Sequence, residues 1–169
     1  MTTNYFKILN LAENFDLDLS VLDKNYFAAQ IQFHPDKAEN DQQKKHFLDL
    51  AVQLNEAYEN LKDELRRAQA LLSIEGIDFD DENIRKNLDP EFLQSIWDEF
   101  AAIENTSDSS ELSHRLAIQY LRKKSLVENL TNTFSAKDIN KSTEMTMCLK
   151  YVDNIIDAIK RKLQHAINK

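Results

Sequence analysis

The chain of 169 residues is 42% hydrophobic and 30% charged, which is typical of a folded globular protein, and its formal net charge of −8 disfavours nonspecific binding to nucleic acid. Its single Gly and two Pro favour long helices over a sheet rich in tight turns, and exclude a glycine-rich phosphate loop. The single Cys excludes an internal disulfide and a multi-cysteine metal site, and favours a reducing compartment.

The first residues predict a short helix and no targeting segment. The start MTTNYFKILNLAENFD is neither a basic-then-apolar signal peptide nor an arginine-rich transit peptide. No run of about 18 apolar residues is present that would span a membrane. We therefore expect a cytosolic protein. The predicted short helix is marked by a group of apolar side chains: Tyr5, Phe6, Ile8, Leu9 and Leu11.

A second helix is predicted after a cap at Asp18 or Ser20. Apolar side chains recur in it at steps of three and four residues, which predicts a buried stripe. The members of this stripe are Leu19, Leu22, Tyr26, Ala29 and Phe33. Pro35 ends the helix, because the residue before a proline is pushed out of the α region.

A third, longer helix is predicted after a polar loop over residues 36–42. Its apolar spacing begins at Phe47 and reaches Leu61, and the helix either ends near there or continues through Leu72. The second and third helices then form an antiparallel hairpin. The tripeptide His34-Pro35-Asp36 lies at the tip of this hairpin.

A change of domain is predicted between residues 76 and 88. Gly76 is suited to end a helix, and Asp89-Pro90-Glu91 is suited to begin one, with Asp as N-cap and Pro at the first helical position. We predict a first domain over residues 1–75, a linker over 76–88 and a second domain over 89–169. Three helices are expected in the second domain, over about 90–104, from 108 or 109 to about 132, and from about 137 or 142 to the end. The last one carries an apolar stripe: Met145, Leu149, Val152, Ile156, Ile159 and Leu163.

The tripeptide His34-Pro35-Asp36 taken alone allows two interpretations. In the first, His34 and Asp36 form an acid–base pair of a hydrolytic enzyme. In the second, Pro35 simply ends a helix between two polar neighbours. The first interpretation needs a pocket with a nucleophile or a metal, and the sequence indicates neither.

The tripeptide in its context, together with the opening NYFKILNL, resembles the J domain of the DnaJ co-chaperones over about residues 4–73. The resemblance implies that His34, Pro35 and Asp36, with the adjacent Lys37, bind an ATPase chaperone of the DnaK class and stimulate its ATP hydrolysis. Pro35 fixes φ and so preorganises the loop as a ligand. Asp36 is an acceptor suited to an arginine of the partner.

The charge of the J-like region departs from that family, whose helix before the tripeptide usually carries several Lys or Arg. Here no basic residue lies between Lys24 and Lys37. Residues 1–75 contain eight Lys and Arg against thirteen Asp and Glu, a formal charge of −5. Long-range electrostatic steering toward an acidic partner is therefore expected to be weak. The basic side chains left near the tip are Lys24, Lys37, Lys44 and Lys45.

The run LNEAYENLKDELRRAQALL and the later segment DPEFLQSIWDEFAAI resemble the HscB family of J co-chaperones, and this likeness covers nearly the whole chain. It implies an all-α fold of a J domain followed by a three-helix bundle. It also implies a co-chaperone of iron–sulfur cluster assembly that delivers an IscU-type scaffold to an HscA/DnaK-type chaperone. No cofactor, metal or catalytic residue is implied. Glu64 stands where the family commonly has Pro, and the N-terminal Cys pairs of some eukaryotic members are missing, which favours a bacterial type.

The resemblance places the scaffold-binding surface on the first helix of the second domain and on the last helix. The positions carried over are Leu93, Gln94, Trp97, Asp98, Ala101 and Tyr151. Gln94 replaces a frequent Met, and Ala101 replaces a usual acidic residue. Helical spacing leaves Trp97 open as a cap of the core or a binding hot spot. Tyr151 is likewise either half-buried packing or an exposed contact. A J-domain adaptor for a different client is the main alternative.

Overall fold

In the computed structural model of the chain, which describes residues 3–79 and 81–167, every regular element is helical, and the prediction of an all-α fold is confirmed. Two compact units divide the chain, Met1–Asp78 and Phe79–Lys169. Within the described residues, no helix combines the length and the apolar character needed to cross a membrane. Nor does this part of the chain bring together three or more His, Cys, Asp or Glu side chains that would hold a metal ion.

The first unit consists of a short helix, a helical hairpin and a further helix. Its elements are α1 (Tyr5–Ile8), α2 (Leu19–Gln32), a 3-10 turn (Pro35–Lys37), α3 (Asp41–Lys62) and α4 (Glu64–Ile74). Asp18 caps α2, because its carboxylate accepts a hydrogen bond of 2.8 Å from the backbone N–H of Ser20. Helix α3 packs against both α1 and α2, so the predicted hairpin is present.

The predicted buried stripe of α2 is only partly correct. Leu22 is fully buried, and Tyr26, Ala29 and Phe33 are partly buried against the rest of the unit. Leu19, however, is 47% exposed, so its predicted burial was wrong. Leu19 is the first residue of the helix, and Cα–Cβ bonds lean toward the helix N-terminus, so this side chain extends past the end of the hairpin.

The third helix does not continue through Leu72, although the apolar spacing does. Asp63 has an extended backbone (φ −82°, ψ 129°) and ends α3. Its carboxylate then caps α4 by accepting a hydrogen bond of 2.9 Å from the backbone N–H of Arg66. After α4, the chain turns through Gly76 at φ +79°, a left-handed conformation that a residue with a side chain rarely adopts.

A buried arginine is part of the first core. Arg67 is 6% exposed, and its Nη1 donates a hydrogen bond of 2.7 Å to the backbone carbonyl of Leu61. The guanidinium also lies 5.1 Å from the ring centroid of Phe15. Burial lowers the pKa of Arg67 from its usual value, although nearby carboxylates oppose that shift. Arg67 therefore joins α4 to the end of α3 and to the loop before α2.

The second unit begins with a short helix and continues with three longer ones. These are α5 (Asp81–Arg85), α6 (Pro90–Asn105), α7 (Ser109–Ser135) and α8 (Ile139–Ile167). Asp89 caps α6 by accepting a hydrogen bond of 2.9 Å from the backbone N–H of Glu91. Helix α5 and the buried Leu88 lie in the segment predicted as a linker, and α5 packs against α8.

Helix α8 forms the centre of the second unit, because α5, α6 and α7 all pack against it. The apolar stripe predicted for α8 is largely buried: Leu149, Val152, Ile156 and Ile159 are inside, and Met145 and Leu163 are partly buried. One core cluster joins three helices and consists of Ile96, Ile103, Leu112, Ile155 and Ile159.

An ion-pair network holds α6 against α7. Arg115 donates a hydrogen bond of 3.0 Å to Glu99 on α6 and one of 2.8 Å to Glu111 on its own helix. Hydrogen bonds from Thr106 and from Arg115 lower the pKa of Glu111. This network fixes α6 on the bundle from the side opposite to its exposed face.

Candidate functional site

The loop formed by residues 34–37, which we call the 34–37 loop, connects α2 to α3. Pro35 starts a 3-10 turn, and His34 caps it: Nδ1 of the imidazole accepts a hydrogen bond of 3.2 Å from the backbone N–H of Asp36. The turn is closed by hydrogen bonds from the backbone N–H of Lys37 to the carbonyl of His34, 2.9 Å, and from that of Ala38 to the carbonyl of Pro35, 3.2 Å. The acceptor role of Nδ1 requires that this nitrogen carries no proton.

The polar side chains of the 34–37 loop are exposed to solvent. The side chains of His34 and Asp36 are 53% and 84% exposed, and Lys37 is exposed as well. Nδ1 of His34 lies 3.7 Å from a carboxylate oxygen of Asp36, which is too long for a hydrogen bond. The carboxylate and the Nε2 atom of the ring therefore remain available to a partner.

The chain on both sides of the 34–37 loop is held in place. The rings of Phe33 and Phe47 meet edge to face at 5.7 Å between centroids, which closes the end of the hairpin. Asn40 caps α3 by accepting a hydrogen bond of 2.9 Å from the backbone N–H of Gln43. Such anchoring limits the conformations of the loop, so less entropy is lost when it binds.

A second candidate surface lies on α6, and we call it the α6 face. Four of its exposed residues are spaced at i, i+3, i+4 and i+7, so they lie on one side of the helix. These residues are Gln94, Trp97, Asp98 and Ala101. Trp97 is 66% exposed, and the amide of Gln94 donates a hydrogen bond of 2.8 Å to the carboxylate of Asp98. Trp97 therefore does not cap the core.

An apolar cavity of about 320 Å³ adjoins the α6 face. Its lining brings together Leu93, Trp97 and Tyr151, three of the residues carried over from the family resemblance. The remaining lining residues are Arg85, Ile96 and Phe100. Gln94, Asp98 and Ala101 lie on the same helix outside this lining.

Tyr151 both packs and lines the cavity. It is half-buried, lies against the core cluster of the second unit and meets the ring of Phe92 at 6.3 Å between centroids. Tyr151 therefore packs on the core and also lines the cavity, and its role in scaffold binding stays a prediction. The sequence pattern missed Arg85, because it lies in the segment read as a linker, where no periodicity marks it.

Comparisons with known proteins identify the family of the chain. Family models match the chain twice, as a DnaJ domain over residues 4–70 and as an HSCB C-terminal oligomerisation domain over residues 88–160. A co-chaperone protein HscB homolog from Burkholderia thailandensis is 31% identical over 170 residues, which cover 96% of this chain and 97% of that protein. The chain belongs to the HscB co-chaperone family.

Other HscB relatives match part or all of the chain. A homolog from Paraburkholderia phymatum is 40% identical over 109 residues, so this match spans 63% of the chain and 62% of that protein. The structure of the chaperone HscB from Vibrio cholerae covers 97% of this chain and 99% of its own, with a TM-score of 0.84 and 25% identity. Human HscB, at 23% identity and a TM-score of 0.85, covers 95% of this chain and 82% of its own, and shows the same fold.

Proposed function

We propose that this chain is a co-chaperone that binds an HscA/DnaK-type ATPase chaperone, stimulates its ATP hydrolysis and delivers to it an IscU-type scaffold of iron–sulfur cluster assembly. The observation that carries the proposal is the presence, on one chain of the HscB family, of an exposed His-Pro-Asp turn and of an apolar cavity beside an exposed Trp. The relatives named above are bacterial except the human one, and we place the activity in the bacterial cytosol.

The 34–37 loop binds the chaperone in this proposal. The carboxylate of Asp36 is 84% exposed on its side chain and accepts a charged hydrogen bond from an arginine of the partner. His34 keeps the turn closed through its Nδ1 acceptor and presents its other nitrogen outward. Pro35 and the hydrogen bonds of the turn hold both side chains ready before binding.

The α6 face and its cavity bind the scaffold. An apolar side chain of the scaffold enters between Leu93, Trp97 and Tyr151, where large apolar groups already surround it on several sides. Exposed Trp residues beside such concave surfaces are frequent hot spots of binding. Gln94 and Asp98 form the polar rim, and Arg85 supplies a cation at the cavity for an acidic or carbonyl group of the scaffold.

The presence of both surfaces on one chain allows the protein to bring the scaffold to the chaperone. A scaffold held by the second unit reaches a chaperone bound to the first unit at a raised effective concentration, without any further contact. ATP hydrolysis by the chaperone then promotes release of the cluster from the scaffold or its transfer. The chain itself carries out no chemical step in this proposal.

The test measures two activities of the full chain with purified partners. ATP hydrolysis by the HscA/DnaK-type chaperone of the same organism is followed as the chain is titrated, and scaffold binding is followed by calorimetry. Stimulation of ATP hydrolysis that rises further when scaffold is added supports the proposal. A chain that binds scaffold and leaves the ATPase rate unchanged would contradict it.

A different client is the second candidate, because the α6 face departs from the family at Gln94 and Ala101, where Met and an acidic residue are usual. These two changes make the rim less apolar and less acidic. A chain that stimulates the chaperone but binds no IscU-type scaffold at micromolar concentration would favour this candidate.

A further inference from the structure

The cavity beside the α6 face has one wall that depends on a neighbouring aromatic ring. Tyr151 lines the cavity, and its ring meets that of Phe92 edge to face, with an angle of 64° between the ring planes. Both side chains are only partly buried, against the core cluster of the second unit. Phe92 lies outside the lining of the cavity. It therefore supports the wall formed by Tyr151 without bordering the cavity itself.

Arg122, on α7, contacts Phe92 in two ways. The central carbon of its guanidinium lies over the ring of Phe92, 4.9 Å from the centroid, which is a favourable cation–π geometry. Its Nη2 donates a hydrogen bond of 3.3 Å to the hydroxyl of Ser95, and that hydroxyl donates one of 2.7 Å to the backbone carbonyl of Phe92. Arg122 thus reaches the side chain of Phe92 directly and its backbone through Ser95.

The contacts of Arg122 differ from those of the other arginine that joins α7 to α6. Arg115 pairs with the carboxylates of Glu99 and Glu111, and none of these three residues lines the cavity. Arg122 instead covers a ring that touches a residue of the lining. The contacts run from Arg122 through Phe92 to Tyr151 and so end at the cavity.

We infer that Arg122 is a positioning residue for scaffold binding, because it fixes the ring of Phe92 and through this ring orients Tyr151 as a wall of the cavity. The inference rests on the proposed function, since it takes the scaffold as the occupant of the cavity. Without the guanidinium, the partly buried ring of Phe92 gains access to other rotamers, and Tyr151 loses a fixed partner. Ordering both rings again on binding costs entropy, so the affinity for the scaffold falls.

The first experiment compares Arg122→Ala with a charge-matched control, Lys124→Ala. Lys124 is exposed on the same helix, so the control also removes one positive charge from α7. Calorimetry with the IscU-type scaffold gives the dissociation constant of each full-length variant. Arg122→Ala is expected to raise it about fivefold, equal to about 1 kcal/mol, and Lys124→Ala to stay within about twofold of wild type. Equal affinities of Arg122→Ala and wild type would overturn the inference.

A double-mutant cycle separates positioning from a general structural role or a direct contact with the scaffold. Tyr151→Leu keeps an apolar side chain but has no ring for Phe92 to contact. In this background, Arg122→Ala is expected to change the dissociation constant less than about twofold, because the residue through which Arg122 acts is already altered. A fivefold effect that persists without the ring of Tyr151 would assign it to a looser attachment of α6 or to a direct contact, and would overturn the inference. The cycle decides even where Arg122→Ala lowers the melting temperature.

Nuclear magnetic resonance of the chain without scaffold tests the contacts themselves. The chain has five Tyr, and the ring signals of Tyr151 are identified as those missing from Tyr151→Leu. Arg122→Ala is expected to shift these signals, since a displaced Phe92 changes the magnetic environment of the neighbouring ring, whereas Lys124→Ala should leave them in place. Tyr151 signals that stay unchanged in Arg122→Ala would overturn the inference.

Failure of the inference is distinguishable from failure of the proposed function. Wild type that binds no scaffold removes both. Wild type that binds the scaffold, with Trp97→Ala weakened and Arg122→Ala equal to wild type, keeps the proposed function and removes Arg122 from it.

Discussion

The substitution Trp97→Ala separates binding from stability on the α6 face. Trp97 is 66% exposed, so its removal takes little area out of the folded core. A Trp side chain presents roughly 200 Å² in total, which leaves about 130 Å² free to be covered by a partner. At about 25 cal/mol per Å², that area is equivalent to roughly 3 kcal/mol. Association costs reduce the measured effect, and we expect a loss of at least about 2 kcal/mol.

Scaffold titration and a thermal melt check this prediction together. The dissociation constant of Trp97→Ala for the IscU-type scaffold is expected to rise about 30-fold, the equivalent of about 2 kcal/mol. The free energy of unfolding should change by less than about 1 kcal/mol, whereas a buried Trp would lose about 3–5 kcal/mol. ATPase stimulation by the chain without scaffold should stay near wild type, and Leu121→Ala serves as an exposed control on the same unit. A large fall in melting temperature, with all activities falling in proportion, would refute the reasoning.

Four further predictions concern single residues outside the α6 face. His34→Gln should abolish ATPase stimulation while scaffold affinity and helicity stay unchanged, and Asp36→Asn should do the same with a loss of about 2–5 kcal/mol in chaperone binding if its partner arginine is desolvated; stimulation at the wild-type rate would remove either side chain from the mechanism. Arg67→Ala should destabilise the first unit by about 2–4 kcal/mol in a urea titration, because it leaves the carbonyl of Leu61 without its 2.7 Å hydrogen bond, and an unchanged midpoint would contradict this role. Burial raises the pKa of Cys148 to about 11, so at pH 9 iodoacetamide should alkylate the folded chain far more slowly than the chain in urea; equal rates would show that the thiol is open to solvent.

The raised pKa of Cys148 also makes the stability of the folded chain depend on pH. The folded-state pKa lies above the usual thiol value of 9.0, so this group favours the folded chain fully below pH 9. That contribution is lost as the pH rises through about 11, because the buried thiol must then ionise in an apolar setting. A Cys148→Ser variant should show a weaker loss of melting temperature between pH 9 and 11. The same loss in both proteins would assign it to other groups.

Local sequence signals predicted the helix ends where a single residue type decides the backbone. Asp89 and Pro90 mark the start of α6 because a carboxylate cap and a fixed φ act within one turn. The sequence left open whether the third helix breaks at Asp63, because the apolar spacing continues through Leu72. The extended backbone of Asp63 that ends α3 is visible only in the structure. The apolar spacing continues past Asp63 because α4 also packs against α3.

The burial of side chains was less predictable from the sequence than the helices were. Helical spacing gives the direction in which a side chain leaves the helix, but it does not show whether a neighbouring element is long enough to cover that side chain. Leu19 has the correct angle for the α2 stripe and is nevertheless 47% exposed at the helix start. Tyr151 lies off the α8 stripe and is half-buried, because Phe92 on α6 packs against it. Arg85 required the tertiary structure, since it reaches the cavity from a short helix that carries no apolar repeat.

The residues that we assign to binding share one property that the core residues lack. Asp36 and Trp97 are mostly exposed, His34 is about half exposed, and each is held by local geometry: a capped turn for the loop and a bundle-fixed helix for the Trp. Side chains held in this way contribute little to folding, so substitutions there should remove an activity without unfolding the chain. The 34–37 loop and the α6 face belong to different compact units with separate cores. Effects on ATPase stimulation and on scaffold affinity should therefore be independent, and a double variant His34→Gln with Trp97→Ala should show the scaffold affinity of Trp97→Ala alone.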